Sequence, residues 1–187
     1  MIRRLLRLAI LGSIAAALAD RLLARRTRVR PSQRPIRSSV VVNAPIDVAW
    51  EAIADIPSQP RWMLEMKAVR ILTPAPIGVG TRAEADVRIF GMGVTDPIEI
   101  TAWEPPARFA IRHLGFFSGA GEIILKAEPG DGATLVTWDE RLAPRFLPDL
   151  GAAVARPILG RIFQDDLDRF RALLESGAWW SGTAQDE

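Results

Sequence analysis

The stretch Asp149-Leu-Gly-Ala-Ala-Val-Ala-Arg-Pro-Ile-Leu-Gly-Arg-Ile-Phe-Gln-Asp-Asp-Leu-Asp-Arg-Phe-Arg-Ala-Leu-Leu-Glu175 reads as a long helix with one apolar side. Leu159, Ile162, Phe163, Leu167, Phe170, Leu173 and Leu174 recur at three- and four-residue intervals, which a helix gathers into a stripe. Arg161, Gln164, Asp168, Arg171 and Glu175 fall on the opposite side, toward water. Pro157 has no N–H for the carbonyl of Ala153, so a kink or a restart is expected there. Gly177 is the expected stop signal. Asp166 breaks the pattern. Four residues after Ile162 and four before Phe170, it sits inside the apolar stripe, where a charge needs a partner or water. A helix with such a face must lie on another layer, and the residues before it read as a sheet.

Moving outward from the helix, Thr134–Leu142 is a strand with Val136, Trp138, Glu140 and Leu142 on one face. Pro129-Gly-Asp-Gly132 is a tight-turn signal, and Glu122–Ala127 is the strand before it. Gly115-Phe-Phe-Ser-Gly119 reads as a hairpin tip, preceded by a strand that puts Phe109, Ile111 and His113 on a common face. Pro97–Trp103 alternates Ile98, Ile100 and Ala102 against Glu99, Thr101 and Trp103. Thr81–Phe90 alternates Ala83, Ala85, Val87 and Ile89 against Arg82, Glu84, Asp86 and Arg88, the mark of a sheet wet on one side. Val69–Thr73 and Ser39–Val42 are further strands, and between those two lie a helix over Pro45–Ala54 and a short helical turn near Pro57–Met63. Short hairpins imply antiparallel pairing.

Charge divides the chain in two. Residues 1–37 hold ten arginines against Asp20, a net of +9, whereas the remainder holds 14 bases against 21 acids, a net of −7. Nucleic acid is therefore not an expected partner of the acidic body, since phosphate contacts need a basic face. No cysteine and a single histidine leave no metal site and no thiol chemistry to expect, and nothing calls for a cofactor.

Residues 1–24 are an expected membrane-anchor or signal-like helix. From Leu8 to Ala19 only Ser13 is polar, but this run is shorter than the ~20 apolar residues a span requires. Extending it over Leu5–Ala24 takes in Arg7, Asp20 and Arg21, which could snorkel. Three readings stand: a transmembrane anchor, a signal peptide cleaved near Ala17-Leu-Ala19 with export of the rest, and a helix lying on the surface. Seven arginines follow the run and three precede it, which places the body on the cytoplasmic side of a membrane. Residues 25–37 form a basic, proline-punctuated linker, expected to be a tether attracted to anionic headgroups.

Several local sequences resemble the START-like, or SRPBCC, superfamily of polyketide cyclase/dehydrase and lipid-transport type. They are Val40-Val-Val-Asn-Ala-Pro-Ile-Asp-Val-Ala-Trp50, Pro60-Arg-Trp62, Gly78-Val-Gly-Thr81, Trp103-Glu-Pro-Pro-Ala-Arg-Phe109 and Leu135-Val-Thr-Trp138, together with the closing helix. The resemblance implies an α+β helix-grip fold over residues 38–177. In it a curved antiparallel sheet of about seven strands wraps a long C-terminal helix, with two short helices after the first strand. The N-terminal helix and a tail over 178–187 lie outside that pattern. The resemblance also implies a chamber for an apolar ligand such as a lipid, quinone or polyketide.

In such a grip the helix stripe and one sheet face line the chamber. Trp62, Phe90, Trp103, Phe109, Ile111, Phe116, Phe117, Trp138, Ile162, Phe163 and Phe170 are then candidate ligand contacts. His113, Glu140 and Asp166 are the candidate catalytic or polar contacts, because titratable groups in an apolar chamber have shifted pKa values. The bland readings are a rim histidine bonded to a carboxylate, and arginine partners for Glu140 and Asp166. Phe116-Phe117 at a hairpin tip and Trp179-Trp180 after the helix fit either packing or a membrane contact. The expected function is a membrane-tethered binder of a hydrophobic small molecule. The alternatives are a cyclase/dehydratase-type enzyme using His113 with a carboxylate, and an interaction module with a vestigial pocket. The chain has no tyrosine, a residue on which cyclases of this superfamily draw.

Overall fold

The computed structural model describes residues 2–89, 91–130 and 132–181. Helix α1 (Ile2–Arg26) is followed by a 3-10 turn (Pro31–Gln33), strand β1 (Ile36–Val42), helix α2 (Ile46–Ala54) and a second 3-10 turn (Ile56–Arg61). Then come β2 (Met66–Ile71), β3 (Arg82–Ile89), β4 (Met92–Glu104), β5 (Arg108–His113), β6 (Phe117–Ala127) and β7 (Thr134–Pro144). Helix α3 (Pro148–Glu175) and a short α4 (Ala178–Ser181) end the described chain. All neighbouring strands are antiparallel, in the order β1-β7-β6-β5-β4-β3-β2. This is the helix-grip arrangement.

Alternation along the strands decides which side chains enter the core. In β1, residues 36, 38, 40 and 42 are buried and those between them exposed; in β4, Asp96, Ile98, Ile100 and Ala102 point inward. Helix α3 packs over the β1–β7 end of the sheet. Its C-terminal half is solid: Leu167 and Phe170 are fully buried, and Phe170 meets the Trp62 ring edge-on at 5.2 Å. Trp62 in turn meets Trp138, and Trp138 stacks at 4.6 Å on Phe163 of α3. These aromatic contacts join helix to sheet and close off one end of the interior. Beyond them, toward the N-terminal half of α3, the interior is hollow.

Four expectations change. Pro157 neither ends nor divides the helix, for α3 runs through it as one element. Pro157 is exposed there, so the carbonyl it leaves unbonded can turn to water. The stretch read as a tether is docked: β1 begins at Ile36, and Arg156 donates to the carbonyls of Arg34 and Pro35. Strand β4 starts at Met92 rather than Pro97, because Pro97 occupies a strand position whose carbonyl still accepts the N–H of Leu114. The fourth correction concerns the transmembrane reading of residues 1–24. No helix among the described residues is long and apolar enough to cross a membrane. Arg7, Asp20 and Arg21 interrupt every sufficient length of α1.

Only Ala16, Asp20, Leu23 and Ala24 of α1 are less than exposed. Asp20 accepts the backbone N–H groups of Asp149 (2.9 Å) and Leu150 (2.8 Å), capping α3 from another helix. At the other end of the domain Trp179 is buried, with the Arg61 guanidinium 4.9 Å from its ring centre, so it serves packing.

Candidate functional site

The hollow part of the interior is a chamber of about 370 Å3. From the sheet, Phe109, Ile111, His113, Phe117, Trp138 and Glu140 line it, with Phe116 from the turn before β6; from α3, Ile162, Phe163 and Asp166 do so. Trp62, Trp103 and Phe170 do not. Trp62 and Phe170 are fully buried in the solid core, and Trp103 packs edge-on against Trp50 and Phe109. Phe90 lies outside the described residues. Met92 and Phe116 line the chamber while 65% and 51% exposed, so they mark where it opens to solvent.

His113 is the centre of a polar line across the sheet. Its Nδ1–H donates to Asp96 Oδ2 at 2.5 Å and its Nε2–H to Glu140 Oε1 at 3.0 Å. Glu140 Oε2 accepts the indole N–H of Trp138 at 3.1 Å. The line exists because β4, β5 and β7 carry Asp96, His113 and Glu140 on one face, and because β6, which lies between β5 and β7, has glycine at position 121. A Cβ on Gly121 would collide with the Glu140 carboxylate, and one on Gly115 would lie 2.6 Å from Asp96 Oδ1. Burial alone would lower the His113 pKa, but hydrogen bonds and charge from Asp96 and Glu140 outweigh it and raise it to about 10. His113 is therefore a cation at neutral pH, with both N–H groups committed. It is not a free general base.

Asp166 has a different setting. Its Oδ1 accepts the backbone N–H of Leu64 at 3.0 Å, and Oδ2 makes no hydrogen bond among the described residues. The residue is 3% exposed. Burial is the main reason its pKa rises to about 7; Glu65 and Asp165 add to the rise, and the Leu64 N–H and Arg169 oppose it. Among the described residues no arginine forms an ion pair with it or with Glu140.

Sequence reasoning missed Asp96, which supplies half of the His113 clamp. Starting β4 at Pro97 left Asp96 in a turn. Continuing the alternation of Ile100 and Ile98 backward puts Asp96 on the chamber face, so the signal was present. Met63, Met66 and Met92 on the chamber wall were missed too. Among the described residues no group of histidines and carboxylates could hold a metal ion.

Residues 33–175 match the family described as polyketide cyclase/dehydrase and lipid transport, and the chain belongs to it. A Mycobacterium tuberculosis protein named Toxin Rv0910 is 25% identical over 136 residues, spanning 72% of this chain and 94% of that one. An uncharacterised protein of the same species is 30% identical over 131 residues, 65% of this chain and 74% of the other. Among solved structures, the Zhui aromatase/cyclase of a Streptomyces species superposes with a TM-score of 0.65 at 19% identity, covering 76% of this chain and 93% of that one. A START superfamily protein from Mycobacterium smegmatis gives 0.58 at 16% identity, covering 76% and 94%. The fold is thus that of a hydrophobic-ligand-binding family.

Proposed function

We propose that this protein binds a hydrophobic small molecule, a lipid, quinone or polyketide-like compound, between the sheet and α3, and does so at a membrane surface. The chamber carries the first part: it is about 370 Å3 in volume and walled largely by apolar side chains from both layers. Native mass spectrometry of the full chain, purified from its own cells without detergent, tests it. A reproducible apolar molecule recovered from the protein is the expected result, and an empty protein in repeated preparations sinks the reading.

The second part rests on α1. Ile2, Leu5, Leu6, Leu8, Ile10, Leu11, Ile14 and Leu18 are all at least half exposed. The uncharged run Leu8–Ala19 spans about 18 Å at 1.5 Å per residue, against a hydrocarbon core of ~30 Å, so α1 lies along a bilayer rather than across it. The ten arginines of residues 1–37 suit the anionic cytoplasmic leaflet, although Arg30 and Arg37 are already paired with Asp149 and Asp139. Flotation of the full chain with anionic but not neutral vesicles is expected; equal recovery in the absence of vesicles rejects it.

One observation favours a cyclase/dehydratase-type reading as second choice. Asp166 titrates near neutrality inside an apolar chamber, as a general acid–base group does. With His113 held as a cation, the proton-transfer role falls to Asp166. Asp166→Asn then abolishes turnover of an aromatic polyketide-like substrate while binding persists; unchanged turnover removes the assignment.

A further inference from the structure

The charged groups on the chamber wall are unbalanced. Among the described residues it carries four acids, Glu65, Asp96, Glu140 and Asp166, and one cation, His113; no arginine or lysine reaches it. His113 is shared between Asp96 and Glu140, so the one cation of that cluster is taken up by two carboxylates. Every N–H of the cluster is already donated, whereas acceptor capacity is left over, including Asp96 Oδ1, which is buried without a partner. The surplus that faces the chamber is Asp166 Oδ2. It belongs to a nearly fully buried residue and makes no hydrogen bond among the described residues.

We infer that the chamber is built for an apolar molecule whose polar end is a cationic amine, with Asp166 as its counter-ion, and that it discriminates against fatty acids and other anionic amphiphiles. This rests on the binder reading proposed above. An ammonium group supplies both the missing donors and the missing positive charge. An alcohol supplies a donor only. A carboxylate or phosphate would bring like charge into a desolvated space whose wall already carries four acids. Phe163, one turn before Asp166 on α3, and Trp138, stacked on it, add aromatic surface on which an alkylammonium rests favourably.

The groups around Asp166 point the same way. Glu65 from the segment before β2 and Asp165 on α3 face it with negative charge, Arg169 on α3 opposes them, and the Asp96–His113–Glu140 cluster lies on the sheet side of the same chamber. Asp166 is half ionised near neutral pH when the chamber holds no ligand, so amine binding strengthens between pH 6 and pH 8 while alcohol binding does not.

The test titrates the full chain with dodecylamine, dodecanol and dodecanoic acid at pH 7.5, each below its aggregation threshold, with tryptophan fluorescence as readout. The amine is expected to bind about ten-fold or more tighter than the acid, with the alcohol between. Asp166→Asn is expected to bring the amine down to the alcohol's affinity and to leave the alcohol within about three-fold. An acid that binds as well as the amine, or an amine preference that survives Asp166→Asn, overturns the inference and leaves the binder reading standing. If none of the three binds, both fall. The comparison of three ligands on the unmodified protein does not depend on the variant's folding.

Discussion

Two aspartates on one helix, seventeen residues apart in the sequence, have opposite surroundings. Asp149, in the first turn of α3, is fully buried and receives four hydrogen bonds. Arg30 donates through Nε (3.0 Å) and Nη2 (2.6 Å) to one oxygen, while the Ser32 N–H (3.1 Å) and hydroxyl (2.7 Å) serve the other. Burial alone would raise its pKa, but the Arg30 and Ser32 contacts win and hold it below the usual carboxylate range. Asp166 is almost as buried, receives one backbone N–H and rises to about 7. Burial does not distinguish a structural carboxylate from a site carboxylate; the number of donors around it does. Asp149 fastens the N-terminal segment to the domain, and Asp166 has an oxygen left for something else.

The largest expected effect comes from removing the cation that balances the other buried acids. His113→Ala leaves Asp96 and Glu140 without their shared cation and is expected to destabilise the protein by about 3–5 kcal/mol at pH 7 in urea denaturation. The folded pKa of His113, about 10, lies above the ordinary histidine value of 6.5. Its contribution is therefore whole below pH 6.5 and lost as pH rises through 10. A native stability flat between pH 7 and pH 10 would contradict that assignment.

Asp166→Asn is expected to act in the opposite direction. Because the folded pKa of Asp166 is raised, the stability linked to its proton is whole below the unfolded value of 3.8 and lost as pH rises through about 7. Asparagine keeps an acceptor for the Leu64 N–H and never ionises, so the variant should be more stable than the native protein by about 2–4 kcal/mol at pH 8 and nearly equal to it at pH 4. A variant that is less stable at pH 8 would mean that Asp166 is as well satisfied as Asp149.

Asp149→Ala gives the smallest of the three effects, a loss of about 2 kcal/mol. Arg30 is 45% exposed and can return to water, which limits its share. The melting temperature should fall by about 4–8 °C, and trypsin should cut more quickly between Arg25 and Arg34 once the segment is unfastened. An unchanged cleavage rate would show that Asp20 and Arg156 hold the segment without Asp149.

The two acids also differ in how far the sequence discloses them. Asp166 was visible because it interrupts a seven-residue apolar stripe, and a violation of helical period needs no tertiary information to be noticed. Asp149 gave no such sign, since an acid in the first turn of a helix is ordinary. Its partners, Arg30 and Ser32, lie more than a hundred residues away in a stretch whose composition reads as an unstructured tether. Asp96 was obscured by Pro97, which reads as the start of a strand and here lies within one.

Alternation in β3, β4 and β7 and the three- and four-residue spacing in α3 are local properties, fixed by backbone geometry, and the sequence determined them by itself. With the family's local motifs they specify a sheet gripping a helix. They put His113 on a face with Phe109 and Ile111, Glu140 on a face with Val136 and Trp138, and Asp166 in the helix stripe. That those two sheet faces turn inward was decided by the tertiary structure. Only the tertiary structure decided that Trp62, Trp138, Phe163 and Phe170 fill one half of the interior and leave the other hollow, because packing depends on side chains from distant elements meeting in space. It likewise decided that His113 is clamped by two carboxylates, that Asp166 keeps one oxygen free, and that the basic segment is held to the domain by Asp149 and Arg156. Each of these joins residues distant in sequence, and no periodicity along a chain encodes such a meeting.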